Sequence, residues 1–184
     1  MNWRKLDTPF SGAIIESLRS SDAVLLSGAL YVARDKAHER LCGMIARGES
    51  LPFPAEGQLI YYMGPSPAPP GKIIGAAGPT TSYRMDAFTE PLLRNGIKGV
   101  IGKGRRGADV KKMLQHHRAV YFATYGGAAA YLSKCIVQSD VIAFDDLGPE
   151  ALLRLAVKDF PVLVVNDIYG GDLYEDAIRN GKRL

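Results

Sequence analysis

The chain has 184 residues, 47% of them apolar and 23% charged, with a formal net charge of +4, which fits one substantial soluble domain with its own core. No apolar run reaches the ~20 residues of a membrane-spanning helix, and Met1-Asn2-Trp3-Arg4-Lys5-Leu6-Asp7 lacks the apolar centre of a secretory signal, so the expectation is a cytoplasmic protein without a membrane partner. The mild basic excess suits a small dianion or an acidic partner subunit. Its densest patch, Lys103, Arg105, Arg106, Lys111 and Lys112, lacks interleaved aromatics and matches no nucleic-acid motif, so nucleic acid is not expected.

In chain order, residues 23–28 and 30–33 read as short strands punctuated by Gly28. Asp35 then caps a helix with Ala37, Leu41, Met44 and Ile45 on one face and Gly48 at its end. Residues 58–63 form another strand, and the proline-rich stretch 65–71 a surface loop. From Lys72 onward strands and helices alternate. Strands are predicted at 73–77, 99–101, 119–123, 141–144 and 162–165. Helices are predicted at 108–116, 126–134 and 149–157, with one more capped by Thr89 and carrying Pro91 in its first turn. The pattern is an α/β domain with a partly parallel sheet, undivided from 1 to 184, ending in a frayed charged tail at 179–184.

The stretch Gly78-Pro79-Thr80-Thr81-Ser82-Tyr83-Arg84-Met85-Asp86 carries the densest chemistry. Hydroxyls and unpaired N–H groups at the start of a helix favour an anion, and Arg84 adds a planar fork for a carboxylate or phosphate. The same residues also suit an ordinary capped helix with a solvated arginine, Thr81 and Ser82 being capping residues and Asp86 a cap or a partner for Arg84. Two further cations stand in turn-like contexts: Arg34 ahead of a helix, and Lys103 between two glycines. Together the three could grip a substrate with carboxylates at both ends. Gly102-Lys103-Gly104 also fits an exposed turn, and it lacks the spacing of a P-loop.

Of the histidines, His38 invites a general-base assignment because its pKa suits it, but it lies beside the apolar stripe of its helix, which favours a structural or Arg34-orienting role. His116 and His117 close a helix, where a positive ring complements the dipole. Asn166, Asp167 and Asp172 read as turn residues or partner contacts. Cys42 and Cys135 are far apart, without a C-x-x-C spacing or a third thiol, so this chain cannot supply the thiolates of an iron–sulfur cluster.

Gly-Pro-Thr-Thr-Ser-x-Arg-Met-Asp at 78–86, followed by Ile101-Gly102-Lys103-Gly104, resembles the C-terminal domain of iron–sulfur class I fumarases and the L-tartrate dehydratase β subunit. The likeness includes Ala33-Arg34-Asp35-Lys36-Ala37-His38, Gly126-Gly127-Ala128-Ala129-Ala130, Phe144-Asp145-Asp146-Leu147-Gly148-Pro149-Glu150-Ala151, Asp159-Phe160-Pro161 and Asn166-Asp167, so it covers nearly the whole chain in order. The acidic 145–150 stretch looks more like fumarase. The resemblance implies a swivelling β/β/α domain and a hydro-lyase β subunit for fumarate and L-malate. It also implies a partner α subunit that carries a four-iron, four-sulfur cluster acting as Lewis acid. Arg34, Arg84 and Lys103 would contact the substrate carboxylates, and Thr80 would move the C3 proton with help from a carboxylate of the partner. The alternatives are an L-tartrate dehydratase β subunit and a non-catalytic anion-binding module of the same fold.

Overall fold

A computed structural model describes residues 2–181. Five strands run parallel in chain order: β1 (Trp3–Asp7), β2 (Ala23–Val32), β3 (Leu59–Tyr61), β4 (Gly99–Gly102) and β5 (Val120–Ala123). The last two strands, β6 (Ile136–Ala143) and β7 (Leu152–Asn166), pair antiparallel with each other, and β7 also pairs antiparallel with both β5 and β2. That double pairing closes β2, β3, β4, β5 and β7 into a five-stranded barrel, with β1 and β6 as outer extensions. The result is a mixed α/β architecture with a seven-stranded, partly parallel sheet.

Alternation along the strands builds two cores. Leu26, Leu30, Val32, Leu59, Tyr61, Ile101, Phe122, Leu155, Phe160 and Val164 belong to one cluster, inside the barrel. Tyr31, Ile60, Tyr62, Val100, Tyr121 and Val165 face outward. Over them pack α2 (Asp35–Ala46), α3 (Asp86–Arg94) and α4 (Ala108–His116) through Leu41, Leu92, Leu93, Val110 and Leu114, with α3 between its neighbours. The shorter helices are α1 (Gly12–Ser17), α5 (Ala129–Leu132) and α6 (Leu173–Arg179).

The strands at 99–101 and 119–123 and the helix at 108–116 lie where the apolar pattern predicts them. The two strands expected around Gly28 are one strand, β2, with a register shift between Leu26 and Gly28. Gly28 has φ +109°, and a side chain there would strike Thr8, so the glycine is a bulge and not a break.

Four expectations are corrected. Residues 73–77 are irregular and not a strand, because loop contacts take up their backbone groups: Ala76 N donates to Ser66 Oγ (2.8 Å), and Ala77 O accepts from Tyr61 OH (2.6 Å). The helix expected at 149–157 is a 3₁₀ turn, Asp145–Glu150, followed by the first half of β7. Leu152 and Leu155 have helical spacing, yet β2 and β6 pair with both edges of this segment. Thr89 does not cap a helix: a 3₁₀ turn at Ser82–Met85 leads directly into α3, Pro91 lies inside it, and the Thr89 hydroxyl donates to Met85 O (2.9 Å). The helical part of 126–134 begins only at Ala129, after Gly127 in a left-handed conformation.

At the far end, Asp172 caps α6 by accepting from Tyr174 N and Glu175 N, and Asp167 organises the preceding turn. Arg179, expected in a frayed tail, belongs to α6, and residues 182–184 of that tail lie outside the described residues.

Candidate functional site

Of the four residues singled out for chemistry, Arg34 and Lys103 sit where parallel strands end, and Thr80 and Arg84 lie on the loop and 3₁₀ turn tied to those exits. The chain leaves β2 through Ala33 and Arg34, β3 through Tyr62, Met63 and Gly64, and β4 through Lys103 and Gly104. Segment 79–81 is laid between the last two exits. Met63 bridges Pro79, Thr80 N donates to Tyr62 O (2.7 Å), and Thr81 bridges Lys103. Thr80 and Lys103 are therefore held on adjoining backbones.

Ser82 fastens this arrangement. Its N–H donates to Lys103 O (3.0 Å), and its hydroxyl accepts from Lys103 N (3.1 Å). The hydroxyl also meets Tyr121 OH (3.0 Å), which donates to Gly104 O (2.7 Å). Ser82 is thus a buried tie between two strand exits, not the capping hydroxyl the sequence suggested; Thr81 holds the cap position without a side-chain cap bond. Gly102 makes the tie possible, because any side chain there would collide with Ser82 Oγ.

The two arginines meet carboxylates from elsewhere in the chain. Arg84 donates from Nε and Nη2 to both oxygens of Asp35 (3.1 and 2.7 Å), with 44% of its side chain exposed. Arg34 lies over Gly64, where an added Cβ would come within 2.5 Å of Nη1. Its Nη2 donates to Glu150 Oε1 (2.8 Å), and the other Glu150 oxygen accepts from Lys36 N (2.9 Å). Arg34 beside it holds the Glu150 carboxyl below the usual range, against the opposing effect of burial. Arg40 pairs with Asp146 and anchors the 145–150 turn to α2. Lys103 is exposed and has no ion pair among the described residues.

Beneath this rim is a further set, of which the sequence reading singled out His38 and missed Arg106. Arg106 has no exposed side-chain surface. It donates from Nε to Asp86 (2.7 Å) and from Nη2 to Thr89 Oγ1 (2.7 Å), and it lies beside the rings of Tyr62 and Tyr121 (5.6 and 5.3 Å). Asp86, expected to cap or to hold Arg84, is instead the partner of Arg106 and of Gly107 N (3.2 Å). His38 is fully buried: Nδ1–H donates to Arg34 O (3.0 Å), and burial pulls its pKa down to about 4. The basic patch is accordingly broken up, since Arg106 is buried and Lys111 is bound by Asp172 and Glu175. Only the short motifs around Asp35 and Glu150 hinted at these partners; no spacing links residues 49 or 116 positions apart.

Fold and strand ends together define a mixed α/β barrel domain with exposed cations beside the carboxyl ends of its parallel strands. The family model of the fumarase C-terminus matches residues 4–177, and the chain belongs to that family. Among its relatives, a protein from Methanocaldococcus jannaschii assigned as an L(+)-tartrate dehydratase β subunit is 34% identical over 169 residues, 89% of this chain and 87% of the relative. Fumarate hydratase 2 of Leishmania major is 38% identical over 157 residues, 84% of this chain and 28% of the relative. The aerobic class I fumarate hydratase of Escherichia coli K12 is 34% identical over 157 residues, 84% of this chain and 29% of the relative. The chain thus spans under a third of the length of these fumarate hydratases and most of the tartrate dehydratase subunit. No helix among the described residues is long and apolar enough to cross a membrane.

Proposed function

We propose that the chain is the β subunit of a two-subunit iron–sulfur hydro-lyase that reversibly hydrates fumarate to L-malate in the cytoplasm. One observation carries this reading: Arg34 and Lys103 leave parallel strands, and the segment bearing Thr80 and Arg84 is tied to Tyr62, Lys103 and Asp35 beside those exits, in a chain of the fumarase C-terminus family. The closed barrel with helices on its outer face supports treating the whole chain as one swivelling β/β/α domain.

In this reading the substrate's two carboxylates accept charge-assisted hydrogen bonds from Arg34, Arg84 and Lys103. Lys103 brings its whole charge to the site, whereas each arginine keeps N–H groups beyond those its carboxylate uses. Thr80 carries the C3 proton. A threonine hydroxyl is a weak base unaided, and Asp86, the acid closest to it in sequence, is engaged by Arg106. A carboxylate of the partner chain completes the proton path.

The donors on this chain do not fit an iron–sulfur cluster. Cys42 donates to Phe88 O and Cys135 to Tyr131 O, and burial raises the pKa of both thiols. Two such thiols fall short of the several thiolates a cluster takes, and no group of three or more potential ligands gathers among the described residues. The four-iron, four-sulfur cluster belongs to the α subunit in this proposal, and no step on this chain runs through it.

A second reading, the β subunit of an L-tartrate dehydratase, is favoured by one observation: the tartrate dehydratase relative is matched over most of its length. Co-expression with the candidate α chain, anaerobic purification and assay on fumarate, L-malate and both tartrate enantiomers separate the two. Turnover of fumarate and L-malate is the expected result. Turnover of tartrate alone selects the second reading, and a folded complex inactive on all four overturns both.

A further inference from the structure

The two arginines proposed to grip the substrate are each held by a carboxylate from a different part of the chain. Asp35, in the first turn of α2, grips Arg84 side-on through Nε and Nη2. That leaves Nη1 and the second Nη2 hydrogen of Arg84 for another anion. Glu150 grips Arg34 through Nη2 only, and is itself fixed by Lys36 N at the start of the same helix. Arg34 is pressed against Gly64, and its buried Nε has no partner. Side-on engagement restricts the rotation of a long, otherwise mobile side chain and aims its open edge. The cost in entropy is then met before a ligand arrives.

We propose that Asp35 and Glu150 are positioning residues, which orient Arg84 and Arg34 for the substrate carboxylates and partly offset the site's charge. Three cations against two carboxylates leave these five residues with a net +1, which attracts a dianion. The arrangement has a direct consequence. Removing the Asp35 charge raises the attraction for a dianion while it loosens the arginine, so affinity and turnover separate.

The inference rests on the hydro-lyase reading, and the test distinguishes the failure of one from the failure of the other. In the assembled complex, Asp35→Asn should lower kcat about ten- to a hundred-fold, as misaimed groups do, with KM unchanged or lower. In an Arg84→Ala background the same substitution should change kcat by no more than about twofold, because coupled residues are not additive. Glu150→Gln should behave likewise against Arg34→Ala. Equal losses in both backgrounds, or an unchanged kcat in Asp35→Asn, would overturn the proposal. On the chain alone, NMR should find the Arg84 Nε–H, assigned with Arg84→Lys, slowed in solvent exchange and released in Asp35→Asn. An Nε–H that exchanges freely in the wild-type chain also overturns it, whatever the complex does. A complex inactive on fumarate, L-malate and tartrate, with that Nε–H protected and released as expected, would sink the hydro-lyase reading and leave the positioning of Arg84 supported.

Discussion

Arg84 and Arg106 both donate from Nε to a carboxylate, and both lie close to the exits of the parallel strands. Yet 44% of the Arg84 side chain is exposed, and none of Arg106 is. The rim pair shares its carboxylate with water, where an ion pair contributes about 0–1 kcal/mol. A ligand can join it at little cost to the fold. Arg106 has given up its hydration for Asp86, the Thr89 hydroxyl and two tyrosine faces, so its worth lies in how completely it is satisfied. Burial separates the two: the inner arginine braces the loops that carry Arg84 and Lys103, and the outer one stays open to a ligand.

The comparison breaks first at Arg106. Arg106→Ala should cost about 2–4 kcal/mol, because it empties a fully buried position and takes a hydrogen-bond partner from Asp86 and from Thr89 Oγ1, read as a lower midpoint in urea unfolding. A variant within about 1 kcal/mol of wild type would remove the brace. Thr80→Val should do the reverse, keeping the fold while kcat falls about 10²–10⁴-fold, the usual contribution of a positioned acid–base group. Its backbone tie to Tyr62 O does not involve the hydroxyl. Near-normal turnover in a folded, assembled Thr80→Val complex would place the base in the partner chain.

The exposed cations stand out in the sequence and the buried Arg106 does not, for a physical reason. Arg34, Arg84 and Lys103 stand beside glycines, hydroxyls or helix starts, a local signal that survives without coordinates. Arg106 has the same local look, two residues after Gly104, and reads as one more cation of the patch; its burial comes from Asp86 and Thr89 of α3 and from the rings of Tyr62 and Tyr121. The fold divides similarly. Strands 99–101 and 119–123 and helix 108–116 carry clean periodicities. The first half of β7 opens on two adjacent leucines, Leu152 and Leu153, before exposed Arg154, and reads equally as helix, until β2 and β6 are seen on its two edges. Residues 73–77 have strand-like composition, yet Ser66 Oγ and Tyr61 OH take up backbone groups that a strand would pair.

Below the rim, His38 adds a pH dependence. Burial pulls its pKa to about 4, against the opposing hydrogen bond to Arg34 O. Because the folded value lies below the unfolded 6.5, the unfolded chain takes the proton first. The folded state therefore has its full stability above about pH 6.5 and loses about 3 kcal/mol of it as pH falls towards 4. His38→Asn should flatten this part of the stability profile in denaturant titrations at stepped pH. An equally steep profile in that variant would show that other groups, and not this buried ring, set the acid limit.

The smallest effects on stability are expected where the largest fraction of the site's charge lies. Lys103 has no ion pair among the described residues, so Lys103→Ala removes no internal contact of that kind. Arg84→Ala leaves Asp35 unpaired but still able to reach water. Each should change unfolding free energy by no more than about 1 kcal/mol. In the assembled complex each should weaken kcat/KM about ten- to a hundred-fold, the equivalent of one charge-assisted contact worth about 1.5–3 kcal/mol. Stability lost without activity would make these residues structural, like Arg106, and unchanged kcat/KM would remove the residue concerned from the clamp. If the split holds for Lys103 and Arg84 and reverses for Arg106, exposure at the strand ends, and not residue type, tells a ligand-holding cation from a structural one.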